Sequence, residues 1–184
     1  MTLLILGLLL WVAAHLFKRL APKARARARM GEKGKGPVGL GILAGLVLMV
    51  VGFRMTETHD LYALPPYLRH LNNLLMVLAV ILFGVGQSKS RLRGKMRHPM
   101  LTGVIVWGVA HLLVNSDAAS LVLFGGMIVW AFAEMTLINW AESTPAAYKD
   151  GSLAGDIRLV LISLVVFAAI AGIHIWLGYN PFPG

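Results

Sequence analysis

One ionisable ring, His111, falls inside an apolar run that extends from Met100 to Val114. An imidazole within a bilayer costs free energy unless it ligates or hydrogen-bonds something, so its position alone makes it a site candidate. Trp107 lies one helical turn earlier and Gly103 another turn back, because residues four apart stack along one side of a helix. A small residue, a flat aromatic wall and a nitrogen donor in line suit a flat apolar cofactor such as haem, which needs an axial nitrogen and an apolar surround. The chain has no cysteine. Disulfides, iron-sulfur ligation, thiolate zinc and cysteine nucleophiles are therefore excluded, and histidine is the strongest soft donor left.

The remaining histidines read differently. His98 stands just before Pro99, where a residue is held extended and the proline suits the first helical position. His59 and His174 read as rings bonded to neighbouring backbone or hydroxyl groups. His15 lies late in the first apolar run and His70 early in the third, with Asn72 and Asn73 following it. Glu134 is a candidate acceptor behind a ligating imidazole, or a residue near a helix end that reaches water. There is no phosphate loop, no nucleophile elbow and no carboxylate cluster suited to a divalent ion.

The elements that position these residues are membrane helices. Apolar residues make up 58% of the chain and charged residues only 14%, which lies outside the soluble range. The fold class is all-α, a polytopic membrane protein whose about six transmembrane helices form an up-down bundle, with residues 1–184 a single domain. The runs are Leu3 to Leu20, Val38 to Phe53, Tyr67 to Gly86, Met100 to Val114, Ala119 to Ile138 and Ile157 to Tyr179. The second and fourth are short: about 15 residues cover only ~23 Å of a ~30 Å hydrocarbon core. Gly36 and Pro37 mark the start of the second. The first run reads as a retained span, with its positive cluster after it and no lysine or arginine before it. The formal charge of +9 sits almost wholly between runs. Lys18, Arg19, Lys23, Arg25, Arg27, Arg29, Lys33 and Lys35 fill the first loop, and Lys89, Arg91, Arg93, Lys95 and Arg97 the third. Such a distribution reports topology rather than nucleic-acid binding, and puts both loops in the cytoplasm and both termini in the periplasm of a bacterial inner membrane. The Arg-Ala alternation from Arg25 to Arg29 reads as a solvated or headgroup-binding helix end. Gly41 with Gly45, and the Gly125–Gly126 pair, signal close helix packing.

Arg97, His98, Pro99, Gly103, Trp107, Ala110, His111, Leu113 and Asn115, followed by a turn and a Gly-rich helix, form a pattern that resembles the NnrU family of bacterial membrane proteins. That family is associated with denitrification and nitric oxide metabolism. The first and fourth helices also resemble the related zeta-carotene isomerases, which hold b-type haem between two histidines and isomerise a polyene double bond when the haem is reduced. The resemblance implies haem b as cofactor and His111 and His15 as its ligands; with such a haem, Arg97 and His98 at the cytoplasmic interface are expected to meet its carboxylates, where charge-assisted bonds are strongest. Two axial ligands on one iron put their Cα atoms about 12 Å apart. The positions of His15 and His111 imply an axial offset of ~10 Å that tilt must absorb, and His70 is the reserve partner. Two functional classes follow: an enzyme acting on an apolar or gaseous small molecule, or a module that senses, carries or helps assemble haem or nitric oxide. The Arg-His-Pro start also resembles isoprenylcysteine methyltransferases, although their carboxy-terminal glutamates have no counterpart here.

Overall fold

In lipid the backbone must satisfy its own hydrogen bonds, and apolar runs of this length do so as helices. A computed structural model describes residues 1–20, 35–143 and 148–182. It contains α1 (Thr2–Leu20), α2 (Lys35–Met55), α3 (Leu68–Val85), α4 (Pro99–Leu112), α5 (Ala118–Ala141) and α6 (Leu153–Trp176), with a 3-10 turn at Arg91–Gly94. Among the described residues no strand forms. The α2, α3 and α6 segments and α5 are long and apolar enough to cross a membrane; Thr2–Phe17 and Pro99–Leu112 are shorter apolar helices. The second helix is thus longer than its apolar run suggests. It takes in Lys35 and Gly36 because Pro37, in the first turn, has no N–H to lose there.

The helices pack side by side in the order α2, α1, α5, α4, α3, α6. In this order α2 and α6 stand at the ends and α5 lies between α1 and α4, while Phe53 of α2 also reaches Phe124 of α5 edge-on at 6.3 Å. Bonds between loops fix which ends coincide. At one end the N-terminal ammonium donates to Thr56 Oγ1 (2.6 Å), Leu61 N donates to Ser116 O (3.1 Å) and Asn73 Nδ2 to Pro181 O (3.1 Å). Both termini, the α2–α3 loop and the α4–α5 turn therefore share that end. At the other, Ser152 N donates to Lys89 O (3.0 Å), and Asp156 accepts from Ser90 Oγ (2.6 Å) and from Arg91 Nε (2.5 Å). Basic Lys89, Arg91, Arg93, Lys95 and Arg97 lie there. The basic stretch at residues 21–34, including Arg25 to Arg29, lies outside the described residues.

Glycine sets the closest approaches. A Cβ on Gly7 would lie 2.5 Å from Met49 N, one on Gly45 2.9 Å from Trp11 N, and one on Gly52 would collide with Leu4 N, so α1 and α2 meet backbone to backbone. Gly41 faces only Ala14 Cβ, at 3.5 Å. Gly126 makes room for Leu8 of α1, whereas nothing approaches Gly125.

Helix starts are capped by the expected chemistry. Asp117 Oδ1 accepts from Ser120 N (2.9 Å) and its Oδ2 from Ser120 Oγ (2.6 Å) at the head of α5. Burial alone lifts the Asp117 carboxyl, but the Ser120 hydroxyl and the Ser120 and Ala119 amides outweigh it and hold the group below its ordinary value. A lowered native value means that the cap stabilises the fold above about pH 4 and loses that contribution as pH falls through the carboxylate range. Asp117→Ala is expected to cost about 1 kcal/mol at neutral pH, and the difference from the unmodified protein should shrink on acidification. Melting curves of the two proteins at neutral and acid pH check this.

α5 is not a regular helix. After one α turn, Leu121–Gly125 forms a wider π turn before the α pattern resumes at Gly126. Such turns insert one extra residue and are frequent at functional sites.

Candidate functional site

Two short segments place the central imidazoles in the same way. On α4, His111 Nδ1 donates to Trp107 O (2.9 Å), and on α1, His15 Nδ1 donates to Trp11 O (2.9 Å). Because a carbonyl only accepts, the neutral rings carry their proton on Nδ1 and present a lone pair on Nε2. Neither Nε2 has a hydrogen-bond partner among the described residues. Metal-binding histidines are oriented by this same kind of bond, from the distal ring N–H to a backbone carbonyl or carboxylate.

Both pairs pack against α5. The His111 ring stacks on Phe124, with centroids 4.5 Å apart and planes inclined by 24°, and Trp107 meets the edge of the same Phe124 at 4.9 Å. The His15 ring lies 4.3 Å from Trp11 and 4.8 Å from Trp130, while Trp11 and Trp130 meet edge-on at 5.5 Å. Phe124 and Trp130 are six residues apart on α5, about 9 Å along its axis. The structure therefore brings His15 and His111 to one helix, at different depths, in keeping with the offset read from the sequence.

The other candidates have definite places. Gly103 is buried, and the space beside it is filled by α3: a Cβ there would lie 3.2 Å from Ala79 O and 3.3 Å from Leu82 Cβ. The small residue thus serves helix contact in this structure. His98 leaves the helical region before Pro99 but is not extended as expected, with φ −127° and ψ 55°, and its Nε2 meets Asn139 Oδ1 at 2.8 Å; Arg97 Nη2 donates to Glu142 O (2.8 Å). Both side chains thus tie the start of α4 to the end of α5. His70 is exposed in the first turn of α3 and His59 is exposed in its loop. His174 Nδ1 donates to Ile170 O (2.8 Å), and the residue lies within electrostatic reach of His111. Asn115 Nδ2 donates to His111 O (2.8 Å), bracing the end of α4. Glu134 is buried on α5, one turn beyond Trp130.

Trp11, Phe124 and Trp130 were not singled out in the sequence. Their signal was present: Trp11 to His15 repeats the Trp-x-x-x-His spacing of Trp107 to His111. No sequence pattern marks Phe124, since its position depends on the π turn.

Among the described residues no group of three or more histidine or carboxylate side chains is placed to hold a bare metal ion. The pairs offer single imidazole nitrogens in aromatic surroundings, the kind of donor that a porphyrin's axial position takes. The indole Nε1 atoms of Trp11 and Trp130 are buried without a hydrogen-bond partner. Apolar walls, open imidazole nitrogens and unused donors together fit the chemistry of haem. A separate cavity of about 230 Å³ opens at the terminal end between Pro65, Arg69 and Ser116, and its lining includes Leu113 and Val114, just beyond His111.

Comparison with curated proteins gives no match, and neither does comparison with solved structures. The family model described as NnrU protein matches residues 3–181, nearly the whole chain. With its apolar helices and its paired Trp-x-x-x-His segments, this chain belongs to the NnrU family.

Proposed function

We propose that this NnrU-family membrane protein binds haem b, with His111 as the principal ligand and His15 as the second. The observation that carries the proposal is the matched pair of imidazoles. Each is held through Nδ1 by the carbonyl of a tryptophan one turn back, each leaves Nε2 open, and each packs on α5. Haem, when bound, supplies redox chemistry and an iron centre for an apolar or gaseous molecule. The protein's part is to fix the imidazole tautomers, to keep water from the site with Trp107, Phe124, Trp11 and Trp130, and to present an apolar route from the lipid. Holding a haem carboxylate with Arg97 or His98 requires those side chains to exchange their present bonds to α5.

The family's link to denitrification and nitric oxide extends the proposal to a redox or gas-handling role in the inner membrane, with the basic loops in the cytoplasm. Polyene isomerisation is a second enzymatic use of the same cofactor. Optical spectra of protein purified from cells supplied with haem test the core of it. A Soret band that sharpens and moves on reduction is expected, and its absence removes the haem assignment. Addition of nitric oxide then separates the roles: a spectrum unchanged by the gas excludes direct gas chemistry and leaves electron transfer or isomerisation.

A further inference from the structure

We propose that the indole N–H groups of Trp11 and Trp130 are the hydrogen-bond donors of the site on its His15 side, where they hold the acceptor end of a small ligand such as a diatomic or a carbonyl compound. This deepens the haem assignment above and rests on it.

Trp11, Trp130 and His15 form a closed triangle of rings with centroids 4.3, 4.8 and 5.5 Å apart. Three polar atoms in that triangle lack partners among the described residues: both indole Nε1 atoms, which are buried, and His15 Nε2. Trp130 is only 6% exposed. A buried donor left without an acceptor loses its hydration with nothing in return, and lipid has no water to supply an acceptor. Two such donors on touching rings describe a place prepared for a polar guest rather than an isolated packing defect.

The His111 side is built otherwise. Its ring partners are Phe124 and Trp107, and the one indole N–H there, that of Trp107, also lacks a partner among the described residues but is not enclosed as those of Trp11 and Trp130 are. The backbone around His111 is also braced, by Asn115 at His111 O and by Asn72, whose amide, oriented to pair donor with acceptor, donates to Ala110 O at 2.9 Å. Donors beside an iron site select which small molecules it holds and how tightly. The unequal enclosure of the donors assigns the sides: His111 is the retained ligand, and a small ligand is received on the other side in place of His15, which gives up the iron to it.

The test uses the full chain, loaded with haem, reduced and exposed to carbon monoxide, with the C–O stretch read by infrared spectroscopy. The stretch is expected to move between H2O and D2O, because an exchangeable N–H touches the oxygen. It is expected to move to higher wavenumber in Trp130→Phe and Trp11→Phe, and to stay in place in Trp140→Phe, whose side chain is 81% exposed. The solvent-isotope shift needs no substitution and so stands even where a variant fails to fold. A Soret band accompanied by no carbon monoxide uptake, or by a stretch indifferent both to D2O and to the two tryptophan substitutions, overturns the donor role and leaves the haem assignment standing. A missing Soret band in the unmodified protein overturns both.

Discussion

His111→Ala abolishes the Soret band of the haem-supplied protein, whereas His15→Ala keeps a band of altered position and intensity. The asymmetry follows from how each ring is held. His111 is fixed by its own Nδ1 bond, by face-to-face contact with Phe124 and by a backbone braced at its carbonyl. His15 has the Nδ1 bond and two tryptophan contacts but no polar brace at its carbonyl among the described residues. Loss of a residue behind a metal ligand typically lowers affinity by ~10–100-fold, so removing the ligand itself should exceed that range. Added imidazole distinguishes lost ligation from lost folding: it should restore a band in His111→Ala if the vacated space still opens on the iron. An undiminished band in His111→Ala would move the site elsewhere.

The second large effect concerns the α1–α2 contact. Gly52→Val and Gly7→Val should each destabilise the protein by about 3 kcal/mol or more, at or beyond the upper end of the usual range for overpacking. A side chain at Gly52 meets the backbone of Leu3 and Leu4, and one at Gly7 meets the backbone of Met49 and Leu48. Backbone held in a helix cannot rotate away as a side chain does, so α1 must leave α2. Gly172→Val on α6, where nothing lies within 4 Å of the added Cβ, serves as the comparison and should be close to neutral. Thermal unfolding in detergent, followed by tryptophan fluorescence, reads all three. Equal melting temperatures for Gly52→Val and Gly172→Val would show that the contact yields without cost. Since Trp11 belongs to the displaced helix, the two α1–α2 variants should also weaken haem retention.

Helical content was legible because it depends on composition summed over many residues. Each apolar run became a helix, and the up-down alternation brought the first residue, the α2–α3 loop and the α4–α5 turn to one end. Helix order was not legible, since the arrangement α2, α1, α5, α4, α3, α6 is set by local shape at Gly7, Gly45, Gly52, Gly103 and Gly126. Gly45 carried its signal in the sequence, paired with Gly41, yet Gly7 is the one glycine of its run and Gly52 has no small partner four residues away within its run. At the site, depth and tautomer follow from simple helix geometry at His15 and His111, so those residues were visible. Gly103 invited a cofactor because a small residue looks the same whether a ligand or a neighbouring helix fills the space beside it. Trp130 and Phe124 were hidden because their relevance depends on which helix stands between α1 and α4.

That central helix touches both imidazoles, and an unbroken α geometry would fix the angle between its capped first turn and Trp130 at a value set only by their separation. The extra residue carried in Leu121–Gly125, the segment that holds Phe124 itself, resets that angle by roughly 100°, the rotation of one helical residue. It acts as a phase shifter, so that Trp130 meets His15 of α1 while Phe124, at the join, meets His111 of α4. Deleting one residue from this stretch would leave the span's hydrophobic length nearly intact and yet turn one aromatic partner away from its imidazole.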